Sequence, residues 1–259
     1  MENGIASPEI LRPLVDLRDR TIQKNRIAFE QRLLAIEQGR DTADPFTIDM
    51  LERYKKRFRN LEEEIDDDIE RVAKQLPIIE KMSKVRGVGL MLSAKIISMI
   101  DIERARHVSS LWRFAGMAVT PICSECGQIF SNGVTKCPDC KGNVLHKADR
   151  PRKGQKLPYN ARLKTYCWQL GTSFLRSGSP YRSIYDQARE YYDANREEWP
   201  KARKHRAAMR KMVKVFLQHL WVEWRTLEGL PVTEPYSHAK QNHQTLLKPT
   251  EFGWPAKGE

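Results

Sequence analysis

Four cysteines set the tightest constraint on what this chain can fold into. Cys123 and Cys126 form one C-x-x-C pair, and Cys137 and Cys140 form a second, ten residues further on. Each pair stands in a knuckle-like context, CSECG and then CPDCKG. A two-residue spacer lets both sulfurs of a turn face one point, and two such turns complete a tetrahedron of thiolates. The spacing predicts a zinc ribbon holding one structural Zn(2+) per chain. Four protein ligands close the shell, so the metal is not expected to be catalytic. The competing reading, a redox dithiol, needs only one C-x-x-C. His146 lies just outside the module and reads as a surface residue, not a ligand. Between the pairs, QIFSNGVTK sets Phe130 and Val134 around an Asn-Gly turn, a β-hairpin signal. Cys167 stands beside Trp168 in a helical stretch and reads as a buried thiol. An odd total of five cysteines suits thiols and metal ligands in a reducing compartment better than disulfides.

The rest of the chain reads as helix. Residues 9 to 38 carry Leu14, Leu17, Ile27 and Leu34 with polar residues between them, and the run from Gly39 to Pro45 reads as a turn. A second helix comes next, with apolar positions Leu51, Tyr54, Phe58, Leu61, Ile65, Ile69, Val72, Leu76 and Ile79, each three or four residues after the last. That near-heptad seam predicts an antiparallel helical hairpin, and it is long enough to pair two chains into a homodimer. The acidic run Glu62, Glu63, Glu64, Asp66, Asp67, Asp68 and Glu70 reads as a solvated helix face. Consecutive carboxylates on a helix point in different directions and do not converge on one ion.

Residues 81 to 100 carry Val85-Arg86-Gly87-Val88-Gly89 and then, at once, an apolar helix with small Ser93 and Ala94. This is the pattern of a helix-hairpin-helix. Its glycines, Gly87 and Gly89, would let the backbone approach a phosphate, with Lys84, Arg86 and Lys95 supplying charge. The competing reading is an ordinary glycine-containing helix connection. Residues 107 to 118 read as a short helix capped by Ser109 or Ser110 and stopped at Gly116.

Charge is the next signal. Lys and Arg total 45 against 33 Asp and Glu, a net charge of +12. An excess of that size makes nucleic acid the leading partner. The stretch from Lys141 to Lys164 holds one acid and a Pro- and Gly-broken loop with Arg150, Arg152, Lys153 and Lys156. That loop suits phosphate tracking, with a solvated linker as the plain alternative. A helix over 159 to 176 presents Leu163, Tyr166, Cys167, Leu170 and Phe174. The next begins near Pro180 and carries Tyr181, Ile184, Tyr185, Ala188 and Tyr192, aromatics that read as core rather than as a base-stacking face. Ser179 reads as its N-cap. The last helix, 201 to 227, buries Met209, Met212, Val213, Phe216, Leu220, Trp221 and Trp224. It carries Arg203, Arg206, Arg210 and Lys214 as a basic stripe for a nucleic-acid backbone. Residues from Pro231 onward read as irregular. No apolar run reaches the roughly eighteen residues a membrane span needs, and MENGIASPEI lacks the pattern of a signal peptide. A cytoplasmic protein with no membrane partner is the expectation.

With these motifs in order, a family resemblance emerges. The stretch VRGVGLMLSAKIISMIDIERARHVSSLWRFAGMAV resembles the C-terminal transposase domain of the IS-one-ten insertion-sequence family, also called bridge-RNA recombinases. The matching residues are Gly87, Val88, Gly89, Ala94, Ile100, Asp101, Phe114, Gly116 and Met117. NARLKTYCWQLGTSF, SGSPYRSIYDQAREYY and HRAAMRKMVKVFLQHLW resemble later pieces of the same domain, so the likeness spans residues 10 to 228. It implies a DNA-recombination protein of a prokaryotic cell or its mobile elements. The family also carries a RuvC-like domain with four catalytic carboxylates, whereas the eighty or so residues before the hairpin here read as helical. The family's serine nucleophile falls where this chain carries the ribbon and its basic loop, with Ser124 and Ser131 inside the ribbon. The resemblance therefore implies nucleic-acid binding far more than strand cleavage.

The expected fold is mainly α: a helical hairpin (1–80), a helix-hairpin-helix (81–119), an inserted small β zinc ribbon (120–146), a basic transposase-like helical domain (147–230) and a tail (231–259). The expected function is nucleic-acid binding, DNA foremost, without catalysis by the isolated chain. Two alternatives stay open. One is an active recombinase or nuclease with a serine or a partner-supplied active site. The other is an RNA-binding subunit of a ribonucleoprotein.

Overall fold

The computed structural model describes residues 7–130, 134–148, 154, 156–233 and 247–256, with only the backbone described at His146 and Lys147. The fold is mainly helical with one small antiparallel sheet. It divides into two compact units, Met1–Glu80 with Gly89–Met99, and Lys81–Val88 with Ile100–Glu259.

The first unit is built on a long hairpin. Helix α1 (Pro8–Asp16) starts where the Ser7 hydroxyl accepts from the Glu9 amide. It runs through a π-helical turn, Leu17–Ile22, into α2 (Gln23–Glu37). Helix α3 (Pro45–Ala73) returns, capped by Asp44, whose carboxylate accepts from the Thr47 amide. A proline at each first turn costs nothing there, because that N–H has no helical partner. Helix α3 stops at Ala73, well short of Ile79, the last position of the apolar seam. Pro77 opens a separate short helix, α4 (Pro77–Ser83). The residue before a proline is driven out of the α region, which breaks the seam there.

The hairpin's interface differs from the expected apolar stripe. Leu17, Ile27 and Leu34 are exposed, while Leu11, Val15 and Ile22 are buried. The inward face between them is filled by charged residues. Arg18 pairs with Asp66 and, at 2.9 Å, with Glu62, and Arg26 reaches Glu62 at 2.6 Å. Asp19 joins this network through Arg18 at 3.0 Å and through Lys95 of α5 (Leu90–Ile97) at 2.9 Å. The acidic run is therefore not wholly a solvated face: Glu62 is only 7% exposed. It points inward because the seam rotates Ile65 and Ile69 to the same side, and it is tolerated there because two guanidiniums meet it.

The second unit gathers α6 (Val108–Phe114), α7 (Ala161–Ser177), α8 (Arg182–Asn195) and α9 (Lys201–Leu227), with the sheet inserted between α6 and α7. Helix α6 is capped at His107 and not at Ser109 or Ser110. It ends as expected at Gly116, where the Met117 amide reaches back to the Trp112 carbonyl at 2.8 Å. Asn160 caps α7 by accepting from two amides, and Gly178 ends it in the left-handed region. The apolar faces of α7 and α9 lie where their periodicity put them: Leu163, Tyr166, Cys167, Leu170, Phe174, Met212, Phe216 and Trp221 are all buried.

Tyr181 sits at the centre of this core, stacked on Phe174 at 4.8 Å and against Phe216 at 5.5 Å. The chain beyond Pro231 departs from the irregular tail its composition predicts. After 234–246, which lie outside the described residues, Leu247–Trp254 folds back onto the core through a 3-10 turn, Pro249–Phe252. Phe252 packs 4.7 Å from Tyr181, and Trp254 donates to the Tyr181 hydroxyl at 2.8 Å. The Tyr181 hydroxyl meets His219 Nδ1 at 2.6 Å, and His219 Nε2 meets the Leu247 carbonyl at 2.9 Å. A carbonyl only accepts, so Nε2 carries the proton and Nδ1 accepts from the tyrosine. Every polar group in this buried chain then has a partner.

Candidate metal centre and nucleic-acid interface

The ribbon is assembled by its backbone. Strand β1 (Val119–Cys123) pairs antiparallel with β2 (Val144–Ala148), Val119 opposite Ala148 and Cys123 opposite Val144. Each C-x-x-C is closed by its own turn: the Cys123 amide donates to Gln128 O at 2.9 Å, and the Cys137 amide to Gly142 O at 2.8 Å. Between the pairs the described residues form only single bridges, Ile122 to Ile129 and Lys136 to Asn143. The main sheet thus flanks the two knuckles and does not lie between them. The Asn132-Gly133 turn of the expected hairpin is outside the described residues.

These turns bring the sulfurs of Cys123, Cys126, Cys137 and Cys140 within 4.8 Å of one another. Cys123 Sγ lies 3.4 Å from Cys140 Sγ, and Cys126 Sγ lies 3.7 Å from Cys137 Sγ. A tetrahedron of sulfurs about 2.3 Å from a zinc ion has edges of about 3.8 Å, so the cluster is sized for a metal. Gly142 is part of the fit: a Cβ there would stand 2.9 Å from Cys123 Sγ.

Electrostatics point the same way. The Cys126 amide, aimed at Cys123 Sγ, draws that thiol down to about 6. The Gln128 amide draws on Cys126 likewise, but burial and the adjoining sulfurs outweigh it and push that thiol up to about 12. At Cys140 the Gly142 amide is similarly outweighed by the Cys123 and Cys137 sulfurs, and the thiol is raised. Four sulfurs this close cannot all become thiolates without a cation among them. Cys167 is different in kind: fully buried, it is pushed up to about 12 by desolvation alone, which makes it inert.

The basic residues singled out in the sequence separate into distinct groups. Lys84, Arg86, Lys156, Arg203 and Arg206 are exposed. Gly89 begins α5 in an extended conformation with open space where a side chain would stand. Gly87 behaves otherwise. Its φ is +91°, its carbonyl accepts from the Ser173 hydroxyl at 2.7 Å, and a Cβ would lie 2.4 Å from Ser177 Oγ. Gly87 is thus packed against α7 through its carbonyl and on the side where a Cβ would stand. Lys95 is held by Asp19, so its charge is spent inside the first unit. Lys214 lies over the Trp112 ring at 4.1 Å, and burial with Arg210 nearby lowers its pKa. Arg210 is half-buried. Arg150, Arg152 and Lys153 lie outside the described residues, as does the side chain of His146.

On α9 the stripe is therefore carried by Arg203 and Arg206. An acid of α8 reaches this helix's start: Asp193 pairs with Lys204 at 3.1 Å. Sequence reading put Tyr192 in the core and passed over Tyr191 and Trp199; the three form an aromatic cluster where α8 meets α9, with Arg203 4.0 Å over the Trp199 ring. Its signal was local, Glu-Tyr-Tyr and then, seven residues later, Trp-Pro. Ser179 is no helix cap: it is buried, its hydroxyl has no partner, and α8 begins after Tyr181 without a side-chain cap. No described helix is long and apolar enough to cross a membrane. No protein-family model matches this chain, and neither a curated protein nor a solved structure matches it.

Proposed function

We propose that this protein is a nucleic-acid-binding module, DNA its foremost partner, in which a structural zinc ribbon braces a basic helical domain. The observation that carries the reading is the set of uncompensated cations on one helix: Arg203 and Arg206 are exposed and make no ion pair among the described contacts, in a chain of net charge +12. Lys84, Arg86 and Gly89 at the helix-hairpin-helix turn, and the basic loop through Lys156, extend the same surface chemistry. The likeness of these elements, in order, to the transposase domain of IS-one-ten recombinases agrees with it. Zinc is the proposed occupant of the cysteine cluster because an all-thiolate tetrahedron suits zinc or iron, and zinc closes such a site without redox chemistry.

Labelled duplex, branched DNA and RNA, offered to the purified protein with and without Mg²⁺, test the reading. Salt-sensitive binding without nicking or a covalent adduct supports it; cleavage assigns the chain to the recombinases instead. Elemental analysis of protein purified without chelator is expected to give one zinc per chain, lost in Cys137→Ser. Iron or no metal would contradict the zinc assignment.

We also infer a homodimer through the hairpin. Helix α2 has no fully buried residue and meets α3 through ion pairs such as Arg26 with Glu62 and through Phe29 against Tyr54 and Phe58. A two-helix layer this thin gains little from folding alone. Light scattering is expected to report twice the chain mass.

A further inference from the structure

A column of flat groups stands at the junction of α8 and α9. Tyr192 stacks on Trp199 with ring centroids 5.4 Å apart and planes 29° from parallel. The Arg203 guanidinium lies over the Trp199 ring at 4.0 Å, and Arg196 stands 5.9 Å from the same centroid. Tyr191 meets Tyr192 edge-on and is 54% exposed. The turn is fixed by the Trp199 amide donating to Arg196 O at 3.0 Å, and by Pro200, which stands at the N-cap position just before α9.

The cations here differ from their neighbours. Along the adjoining α8 surface, Arg182 pairs with Asp186 and Arg189 with Asp193, each at 3.4 Å. The open pocket lined by those groups, with Tyr185 and His205, is already charge-matched. Arg196, Arg203 and Arg206 are exposed and have no acidic partner among the described contacts. Glu197 and Glu198 share the loop but pair with none of them.

We propose that this column is a stacking platform for unpaired bases, so that the protein engages single-stranded nucleic acid here. The inference rests on the nucleic-acid reading above and sharpens it. A guanidinium placed over an indole offers an unpaired base a planar group and a positive charge together. Rings and guanidinium planes are met by bases only when those bases are out of a duplex stack, and such stacking is tolerant of sequence. Arg196 and Arg206 are left to meet the phosphates on either side.

The test uses the full-length protein with a fifteen-residue oligo-dT, the matching oligo-U, and a DNA duplex of about the same length, at fixed salt. Arg203→Lys keeps the charge and removes the plane, and Trp199→Ala removes the support beneath it. Each is expected to weaken oligo-dT or oligo-U binding by about ten-fold, and Trp199→Ala, which leaves every cation in place, to keep duplex binding within about two-fold. Tyr191→Ala, on an exposed ring, is the variant least able to disturb folding and is expected to act the same way. The two oligonucleotides report whether the strand is DNA or RNA. Equal loss on single strands and duplex, or no loss on either, overturns the platform while leaving nucleic-acid binding intact. Failure of the unmodified protein to bind any of the three overturns both.

Discussion

Lys141 is the one described non-glycine residue with positive φ, at 60°. It comes directly after Cys140 as Gly127 does after Cys126, and Gly127 takes the same left-handed turn at φ 74°. A side chain in that region costs about 1–2 kcal/mol, and the freedom a glycine adds to the unfolded chain returns about 0.5–1 kcal/mol of it. Lys141→Gly is therefore expected to stabilise the second knuckle by about 0.5 kcal/mol, seen as slower metal loss to a chelator; faster loss would contradict the turn geometry. His219 carries a second residue-scale prediction. Burial holds its imidazole at about 4, against about 6.5 when solvated. Between those values the unfolded chain binds a proton that the folded chain refuses. Stability is thus complete above about pH 6.5, falls as pH drops toward 4, and loses about 3 kcal/mol in all. Urea melts of the wild type and of His219→Gln across that range measure it, and the variant's profile is expected to be flatter there. Identical slopes would mean that His219 is not the group.

At the scale of elements, legibility tracked chemistry. Helices α7 and α9 were readable because their buried faces are apolar at helical spacing, and the knuckles because four sulfurs at fixed spacing admit few geometries. The first hairpin was readable as helix but not in its facing. Its inward stripe runs through Arg18, Asp19 and Arg26, which a hydrophobicity pattern assigns to solvent, and their partners Glu62, Asp66 and Lys95 are distant in sequence. The same network occupies Lys95, which pairs with Asp19 inside the first unit. Glu62→Gln leaves Arg26 and part of Arg18 short of a buried counter-charge and is expected to cost about 3 kcal/mol. Glu63→Gln, on the exposed side of the same helix, should stay within roughly 0.5 kcal/mol of wild type. Matching denaturation midpoints for the two variants would show the network to be incidental. The C-terminal strap was illegible for another reason. Phe252 and Trp254 are two isolated aromatics in a Pro-rich tail, and only the prior presence of Tyr181 and His219 in a core gives them a place to dock.

Over the whole molecule, charge is the property that links sequence to function most directly, yet its total misleads about where it acts. Of the cations singled out in the sequence, Lys95 and Lys214 are tied into the fold, while Arg203 and Arg206 remain exposed without acidic partners among the described residues. On the proposed reading these cations bind nucleic acid by releasing counterions, so affinity is expected to fall as a power of salt, by about 0.9 in exponent for each phosphate neutralised on a duplex. The most direct measurement is the salt dependence of duplex affinity for the wild type and for the Arg203→Gln, Arg206→Gln double variant. A steep wild-type slope that becomes shallower in the variant by about two phosphate contacts is the predicted result. Binding that is absent, or a slope that the double variant leaves unchanged, would contradict it.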